Sequence, residues 1–314
     1  MIYLDANATT VTPPEVIEEM VKWINCGNPS AGYGRATAAR NMMTAAADFI
    51  ASSCGFKAYV PGSPTHNNTF QVVFLSGATE ANNTVIQSVV AAHRHNATTK
   101  PHIVCSAIEH KSIMECVAGL AACGEATVTY VQCDRGGFIL PTDVEAAITP
   151  STVLVCVMHA NNETGAINNI KAIGRIAHSH DVPFFTDATQ TFGKQPLNPV
   201  QSNVDAFAIS FHKMHGVLGV GALCIRRKFI EGHKLEPVIC GSQNCGFRGG
   251  TENIPGIAAG YKALAYTWTD RAAKNARLSA LKQRLIAELS KRVPCQTYTA
   301  WCDSPLTTRV QLIF

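Results

Sequence analysis

Short apolar runs alternate with longer amphipathic stretches through the middle of the chain, from about residue 71 onward. The short runs have the length of strands, and in the longer stretches apolar residues recur at helical spacing. This alternation predicts βαβ units, and therefore an α/β fold with a mostly parallel sheet flanked by helices. The predicted strands are 72–75, 103–106, 127–131, 152–158, 183–186 and 205–209, with an antiparallel return strand at 222–225. Between them, helices are predicted at 78–93, from after 112 to about 123, at 142–148 and at 170–180.

Helical spacing also marks the two ends of the sequence. A first helix is predicted after Thr12, which is the expected N-cap because prolines suited to a first helical turn follow it. A second helix is predicted at 36–54, before the glycine at position 55, and a long helical stretch at about 257–292. Residues 57–69 carry several turn residues, so we interpret them as an exposed loop and as an insertion.

The length of 314 residues suggests about two domains. We predict an N-terminal segment at 1–14 and a large domain at 15–262. Residues 263–314 would then be a linker helix and the start of a smaller second domain, which is incomplete where the sequence stops.

Composition and charge narrow the classes of function. Apolar residues make up 46% and charged residues 15%, which fits a compact enzyme better than a disordered protein. The net charge of +4 comes from scattered lysines and arginines, so neither nucleic acid nor a membrane surface is an expected partner. No apolar run is long enough to span a bilayer.

Twelve cysteines raise the question of disulfides or zinc. The chain opens without a basic region followed by an apolar one, so we expect reduced thiols and a cytoplasmic location. Cys240 and Cys245 lack the second pair that would complete a zinc site, and no metal site is expected.

Lys213 is the first candidate for chemistry, because it comes just after the predicted strand 205–209. Ligands bind at the carboxyl ends of the strands in open α/β sheets. A lysine in an apolar pocket can attack a carbonyl, as the lysine of pyridoxal 5′-phosphate (PLP) enzymes does. The alternative is that Lys213 is an ordinary solvent-exposed lysine on the surface.

Other polar residues follow predicted strands in the same way. Thr79 stands at a helix N-terminus, where backbone N–H groups suit a phosphate, although taken alone a helix cap by Ser76 or Thr79 is the favoured explanation. Asp187 is a candidate partner for a pyridinium nitrogen, or again a cap. His110 is either a residue that stacks on a ring or a structural histidine. Asn162 and Gln190 are neutral hydrogen-bonding residues that suit a ring hydroxyl.

Seven runs in family order resemble the cysteine desulfurases, which belong to the class V aminotransferase group of fold-type I PLP enzymes. The runs are Tyr3-Leu-Asp-Ala-Asn-Ala-Thr-Thr, Ser76-Gly-Ala-Thr-Glu-Ala-Asn-Asn, Glu109-His-Lys-Ser, Met158-His-Ala-Asn-Asn-Glu-Thr-Gly, Thr186-Asp-Ala-Thr-Gln, Ser210-Phe-His-Lys and Arg248-Gly-Gly-Thr-Glu-Asn. The resemblance covers nearly the whole chain and makes 15–262 the expected PLP-binding domain.

The resemblance implies a role for each matching residue. Lys213 would form the Schiff base and move the substrate Cα proton, and His110 would stack on the ring as a second catalytic residue. Asp187 would pair with the ring nitrogen. The remaining expected cofactor-binding residues are Ala78, Thr79, Asn162, Gln190, Ser210, His212 and, from the other subunit of a homodimer, Thr251.

The resemblance also implies a reaction and partners. L-cysteine would lose its sulfur to a cysteine thiolate of the enzyme, which gives alanine and a persulfide. The sulfur would then pass to an iron–sulfur scaffold or a thiolation partner. Two alternatives stay open: a related PLP lyase or transaminase such as a selenocysteine lyase, and a catalytically silent PLP-binding regulatory protein.

Three departures from the family pattern qualify the match. Tyr33 stands near a position where the family has a histidine, and the turn after Lys213 reads His-Gly-Val-Leu-Gly where the family has Tyr-Gly-Pro-Lys-Gly. The persulfide cysteine and the arginine that binds the substrate carboxylate are expected beyond Phe314. Cys295 and Cys302 precede the place where the family carries that cysteine.

Overall fold

The computed structural model describes residues 2–96, 99–292, 296–297 and 312–313. Its centre is an eight-stranded sheet with the order β1-β2-β8-β7-β6-β5-β3-β4. Only β8 runs antiparallel to its neighbours, β2 and β7, so the predicted return strand and the mostly parallel sheet are confirmed. The strands are β1 Lys57–Ala58, β2 Thr69–Leu75, β3 His102–Ser106, β4 Thr127–Val131, β5 Thr152–Cys156, β6 Phe184–Asp187, β7 Ala206–Ser210 and β8 Gly221–Arg226. A separate antiparallel pair joins β9 Gln296–Thr297 to β10 Leu312–Ile313.

Helices cover both faces of the sheet because its central strands are apolar on both sides. Along β7, Phe207 and Ile209 face one core, and Ala206 and Ala208 face the other. Helices α2, α5, α6 and α8 pack on the first face, and α3, α4 and α7 pack on the second. The helices are α1 Pro14–Lys22, α2 Gly34–Cys54, α3 Ala78–Asn96, α4 Lys111–Ala122, α5 Pro141–Ala147, α6 Ile170–Ser179, α7 Arg227–His233, α8 Ile254–Trp268 and α9 Arg271–Ser290.

The N-terminal part of the chain packs beside the end of β7. Val16 of α1 lies fully buried against Ala259 and Ala263 of α8. Thr10 N donates a 2.9 Å hydrogen bond to the carbonyl oxygen of His212. The segment before α1 is therefore held against the turn that carries the candidate lysine.

Two helix predictions need correction. The long helical stretch at 257–292 is two helices, because Asp270 adopts a left-handed conformation with φ 53° between α8 and α9. Thr12 is not the cap of α1, which begins after Pro13 without a side-chain cap. Its hydroxyl instead donates to the carbonyl oxygen of Gly216 at 3.1 Å. By contrast, α2 ends as predicted, with Gly55 in the left-handed conformation at φ 73°.

The interpretation of 57–69 as a loop is wrong at its start, where Lys57–Ala58 forms β1 and pairs in parallel with β2. The division between 262 and 263 falls within α8 and stays a prediction. Cys295 and Cys302 lie outside the described residues. Within the described ranges, every helix is too short or too polar to cross a lipid bilayer.

Candidate active site

A cavity of about 590 Å³ opens at the carboxyl ends of the parallel strands. The residues after β2, β3, β5, β6 and β7 meet there, as expected for polar side chains at one edge of a parallel sheet. Nine of the ten predicted cofactor-site residues line this cavity: Ala78, Thr79, His110, Asn162, Asp187, Gln190, Ser210, His212 and Lys213. Thr251 is exposed and is not among the residues lining the cavity of the described chain.

Lys213 ends a short 3₁₀ turn, Phe211–Lys213, directly after β7. The turn is anchored by Phe211, which is fully buried against α8. A Cβ added at Gly260 of α8 would lie only 2.3 Å from Cδ2 of that ring, so the close approach requires a glycine there. Lys213 Nζ donates hydrogen bonds to the carbonyl oxygens of Asn7, at 3.0 Å, and Ala8, at 2.7 Å. The N-terminal segment thus forms the wall of the cavity beside the lysine.

Asp187 is a buried carboxylate held through both of its oxygens. Asn82 Nδ2 donates to Oδ2 at 2.9 Å, and Thr189 N donates to Oδ1 at 2.9 Å. The same Asn82 nitrogen donates to Ser112 Oγ at 2.8 Å. Asp187 therefore holds the turn that follows β6 rather than capping a helix, and it also lines the cavity.

His110 has a structural role and also lines the cavity, while its stacking on a ring stays a prediction. Its Nδ1 accepts a hydrogen bond from Ser112 N at 3.1 Å and so caps α4, and Ser112 Oγ lies 2.8 Å from the same nitrogen. The ring also lines the cavity. The cap orients the imidazole through Nδ1, which leaves Nε2 as its other hydrogen-bonding atom.

The first turn of α3 forms another wall of the cavity. Gly77 lies close to β8, because a Cβ added at Gly221 would come within 2.8 Å of the Gly77 Cα. Ser76 N donates to Glu80 Oε2 at 2.7 Å, and Glu80 forms a salt bridge with Arg248 at 2.7 Å between Nε and Oε1. Ala78 and Thr79 follow at the helix N-terminus, where the dipole favours an anion.

His212 faces the same cavity as a neutral imidazole. Burial and the nearby charges of Lys213 and Lys194 lower the pKa of His212 to about 4. Its Nδ1 lies 3.1 Å from Thr9 Oγ1. Near neutral pH, His212 therefore offers a hydrogen bond rather than a charge to a ligand.

Asn162 and Gln190 supply amide groups, as predicted. Asn162 is half-buried, and its Nδ2 donates to Glu163 Oε1 at 2.6 Å. The backbone carbonyl oxygen of Asn162 accepts from Asn7 Nδ2 at 3.2 Å, which ties this loop to the N-terminal segment. The preceding Asn161 does not line the cavity and instead supports the loop, because its Oδ1 accepts from the backbone of Glu163 and Thr164.

Several residues of the site were not given a role from the sequence. Asn7 and Ala8 contact Lys213 through backbone carbonyls, and Asn82 and Ser112 contact Asp187 and His110 through side chains. All four belong to runs that resemble the family, and this was the only signal available for them. Apart from the bond between Ser112 and His110, which are two positions apart, these contacts are long-range, so spacing along the chain did not reveal them.

Glu109 is a buried acid that precedes the cavity residue His110. Its Oε1 accepts from Ser106 Oγ and from Met158 N, the latter at 2.6 Å, so it links the ends of β3 and β5. Burial raises the pKa of Glu109 to about 8, and the Asp187 carboxylate contributes in the same direction. Glu109 is therefore mostly uncharged near neutral pH.

The groups in the cavity fit PLP. Lys213 provides an amine for an aldehyde, and Asp187 provides a buried carboxylate for a ring nitrogen. Thr79, Ser210 and His212 place hydrogen-bonding side chains near the N-terminus of a long helix, which suits a phosphate. An amine, a carboxylate and an anion site in one cavity match the aldehyde, the ring nitrogen and the phosphate of this cofactor.

Comparisons with known proteins agree with this chemistry. The family model described as Aminotransferase class-V matches residues 2–311. The chain is 37% identical over 297 residues to the cysteine desulfurase IscS of Dictyoglomus turgidum, and the match covers 93% of this chain and 70% of that protein. The structure titled "SspA in complex with cysteine" has a TM-score of 0.76 at 34% identity and covers 85% of this chain and 73% of its own. A NifS-like protein has a TM-score of 0.83 at 30% identity, with 95% and 78% covered. The chain therefore belongs to the class V aminotransferase family and, within it, to the PLP-dependent cysteine desulfurases.

Proposed function

We propose that Lys213 binds PLP covalently in this cavity and that the bound cofactor acts on L-cysteine. The observation that carries the proposal is the meeting of Lys213, Asp187 and the first turn of α3 in one cavity of about 590 Å³. In the overall reaction the Cβ–Sγ bond of cysteine breaks, and a protein thiol takes up the sulfur as a persulfide while alanine is released. One L-cysteine and one protein thiol thus give one alanine and one protein persulfide, and no further reactant is needed.

Lys213 and Asp187 carry the proton movements of the proposal. PLP, when bound, supplies an electron sink for the substrate Cα. The Asp187 carboxylate holds a proton on the ring nitrogen, since a neighbouring anion favours the protonated form. Lys213 Nζ would move the substrate Cα proton.

The remaining residues bind and orient the cofactor. Ala78, Thr79, Ser210 and His212 would hold the phosphate, and the neutral state of His212 means that it does so by hydrogen bonding. His110 would stack on the ring and act as an acid–base group through Nε2. Asn162 and Gln190 would approach the ring oxygen as neutral amides.

We propose that residues 15–262 form the PLP-binding domain, with 1–14 as an N-terminal segment and 263–314 leading into a second domain. The cavity supports this division, because nearly all of its lining residues fall between Ser76 and Gly219. Asp5, Asn7 and Ala8 are the exceptions and come from the N-terminal segment.

The proposal includes a homodimer in which Thr251 reaches the phosphate site of the other subunit. Thr251 is exposed on its own chain, as this role requires. Light scattering at micromolar concentration tests the assembly and should give twice the mass of the 33.6 kDa chain. A Thr251→Ala variant should keep the dimer but bind PLP more weakly, whereas a monomeric holoprotein would contradict the proposal.

L-cysteine is the proposed substrate, and an iron–sulfur scaffold or another sulfur acceptor is the proposed partner. The support is the family match and the bound cysteine that one similar structure names in its title. A PLP lyase or transaminase that needs no persulfide cysteine is the second candidate. It is favoured by the fact that no cysteine among the described residues lines the cavity.

The decisive experiment combines a spectrum with a product assay. The chain incubated with PLP should be yellow, and Lys213→Ala should lose the visible band while remaining folded by circular dichroism. An unchanged band in Lys213→Ala would overturn the assignment of the lysine. Release of alanine from L-cysteine, measured with a small-molecule thiol added to take up the sulfur and compared with selenocysteine and other amino acids, separates the desulfurase from the second candidate.

A further inference from the structure

A continuous chain of hydrogen bonds joins Asp187 to His110 through two residues on different helices. Asn82 of α3 donates one amide hydrogen to Asp187 Oδ2 at 2.9 Å and the other to Ser112 Oγ at 2.8 Å. Ser112 Oγ of α4 lies 2.8 Å from His110 Nδ1. Asp187 and His110, the two ends of this series of hydrogen bonds, line the cavity. Asn82 is completely buried and does not line it.

The chemistry of the groups fixes the direction of each bond. The Asp187 carboxylate only accepts hydrogen bonds, so the nitrogen of Asn82 must face it. The Ser112 hydroxyl accepts from Asn82 and has its own proton for His110 Nδ1. Ser112 N donates to the same Nδ1 at 3.1 Å, so that nitrogen carries no proton. In the neutral imidazole the proton therefore resides on Nε2.

The arrangement of Asn82 lowers the stability of the fold, because one of its polar atoms has no partner in the described part of the chain. Its Oδ1 is buried and finds no hydrogen-bond partner among the described residues. A buried polar atom without a partner destabilises a fold, and a leucine of similar size would avoid the penalty. The benefit of an asparagine at this position lies in its two donated bonds.

We propose that Asn82, acting through Ser112, is a positioning residue that holds the Asp187 carboxylate and the His110 imidazole as one hydrogen-bonded unit. This inference rests on the proposed function of the cavity, because those two groups are the proposed contacts of the cofactor ring. Asn82 fixes the rotation of the carboxylate together with Thr189 N, and it orients the hydroxyl that donates to His110.

The test uses four variants. Asn82→Leu removes both donors at similar size, Ser112→Ala removes the hydroxyl, and Ser112→Thr keeps it. Asn83→Leu is the matched control. Asn83 Nδ2 donates to the backbone carbonyl of Ser112 at 3.1 Å, so it links the same two helices but takes no part in the hydrogen bonds between Asp187 and His110. Ser112 is only half-buried, so Ser112→Ala decides the matter if Asn82→Leu does not fold.

The first readout is the nitrogen NMR spectrum of the cofactor-free chain with labelled histidine, at about pH 8.5 where an ordinary imidazole is neutral. The resonance of His110 is identified by its loss in His110→Gln. Asn82→Leu and Ser112→Ala should shift the Nδ1 resonance of His110, and Ser112→Thr and Asn83→Leu should not. An unshifted Nδ1 resonance in both Asn82→Leu and Ser112→Ala overturns the inference.

The second readout is the PLP-loaded chain at one fixed pH. Asn82→Leu should change the ratio of the visible to the near-ultraviolet band and release PLP roughly tenfold faster, the effect expected from a lost hydrogen bond to a charged group. A spectrum and a release rate of Asn82→Leu that equal those of the wild type contradict the inference. A wild-type chain that binds no PLP contradicts the proposed function instead. The NMR readout still decides whether Asn82 and Ser112 join Asp187 to His110.

Discussion

Lys213 Nζ lies 2.7 Å from the carbonyl oxygen of Ala8 and donates a hydrogen bond to it, although the two residues are 205 positions apart. A second bond, to the carbonyl oxygen of Asn7, is 3.0 Å long. An ammonium group has three hydrogens to donate, and carbonyl acceptors stabilise its charged form. Binding of an aldehyde to this amine must therefore compete with the N-terminal segment.

Thr10 provides a way to loosen that segment without changing the lysine. Its hydroxyl donates to the carbonyl oxygen of His212 at 2.8 Å and accepts from His215 N at 2.7 Å. Thr10→Val keeps the shape but leaves a backbone donor unpaired, which we expect to lower the free energy of unfolding by about 1–3 kcal/mol. Val11→Thr is the matched control, because the Val11 side chain is exposed.

Urea unfolding and PLP titration of both variants check this prediction. Thr10→Val should also weaken PLP binding, because the turn that carries Lys213 rests on the bonds of Thr10. If Thr10→Val and Val11→Thr unfold at the same urea concentration, the segment does not support the turn.

Asp187 should control the rate of proton exchange more than the affinity for PLP. Asp187→Asn keeps an acceptor for Asn82 Nδ2 but loses the negative charge that favours a protonated ring nitrogen. We expect the variant to remain yellow and to exchange the substrate Cα proton at least a hundredfold more slowly, roughly the scale of a lost acid–base or electrostatic contribution. Proton NMR of alanine in D₂O measures the exchange, and a wild-type rate would show that the charge is not needed.

Glu109 should make stability fall as pH rises. Its pKa is raised by burial from 4.5 to about 8, so between these values the folded chain keeps a proton that the unfolded chain has lost. Because the folded state then binds more protons, the free energy of unfolding decreases through this window and levels off above pH 8. The total decrease is on the order of a few kcal/mol.

Glu109→Gln is the test of that slope. Glutamine keeps an oxygen that can accept from Ser106 Oγ and Met158 N, and it cannot ionise. Urea unfolding at several pH values should give a flatter dependence for the variant, with the largest gain over the wild type near pH 8. If the free energy of unfolding depends on pH in the same way for both proteins, groups other than Glu109 cause the dependence.

Local patterns predicted the sheet well and the hydrogen bonds of the site poorly. Strand Thr127–Val131 has the predicted bounds, because turn residues mark both of its ends. The bond from Asn82 to Asp187 joins residues 105 positions apart, and nothing in the spacing of either run indicates it. Asp270 breaks the predicted long helix through a backbone conformation that propensity does not anticipate. Periodicity reports burial, whereas such contacts depend on how distant elements pack.

The cysteines of the described ranges are poorly placed to accept sulfur from a substrate in the cavity. A thiolate is the attacking form of cysteine, and it must reach the substrate. None of the ten cysteines in the described ranges lines the cavity. Burial raises the pKa of the Cys54 thiol to about 12 and those of Cys105, Cys156 and Cys224 well above the ordinary value, so these four stay protonated.

The chain incubated with PLP and L-cysteine should therefore form no stoichiometric persulfide on the ten cysteines of the described ranges. We expect none on Cys295 or Cys302 either, because both precede the place where the family carries its persulfide cysteine. Mass spectrometry of the alkylated protein maps each position, including Cys295 and Cys302. Lys213→Ala is the control, because a persulfide formed by turnover disappears in it, whereas one formed by sulfide in solution remains. Cys123, Cys240 and Cys245 are the exposed thiols of the described ranges and are open to such side reactions, so changing all three to serine removes that background. A persulfide at one position that requires Lys213 would identify an acceptor within these residues and contradict the prediction.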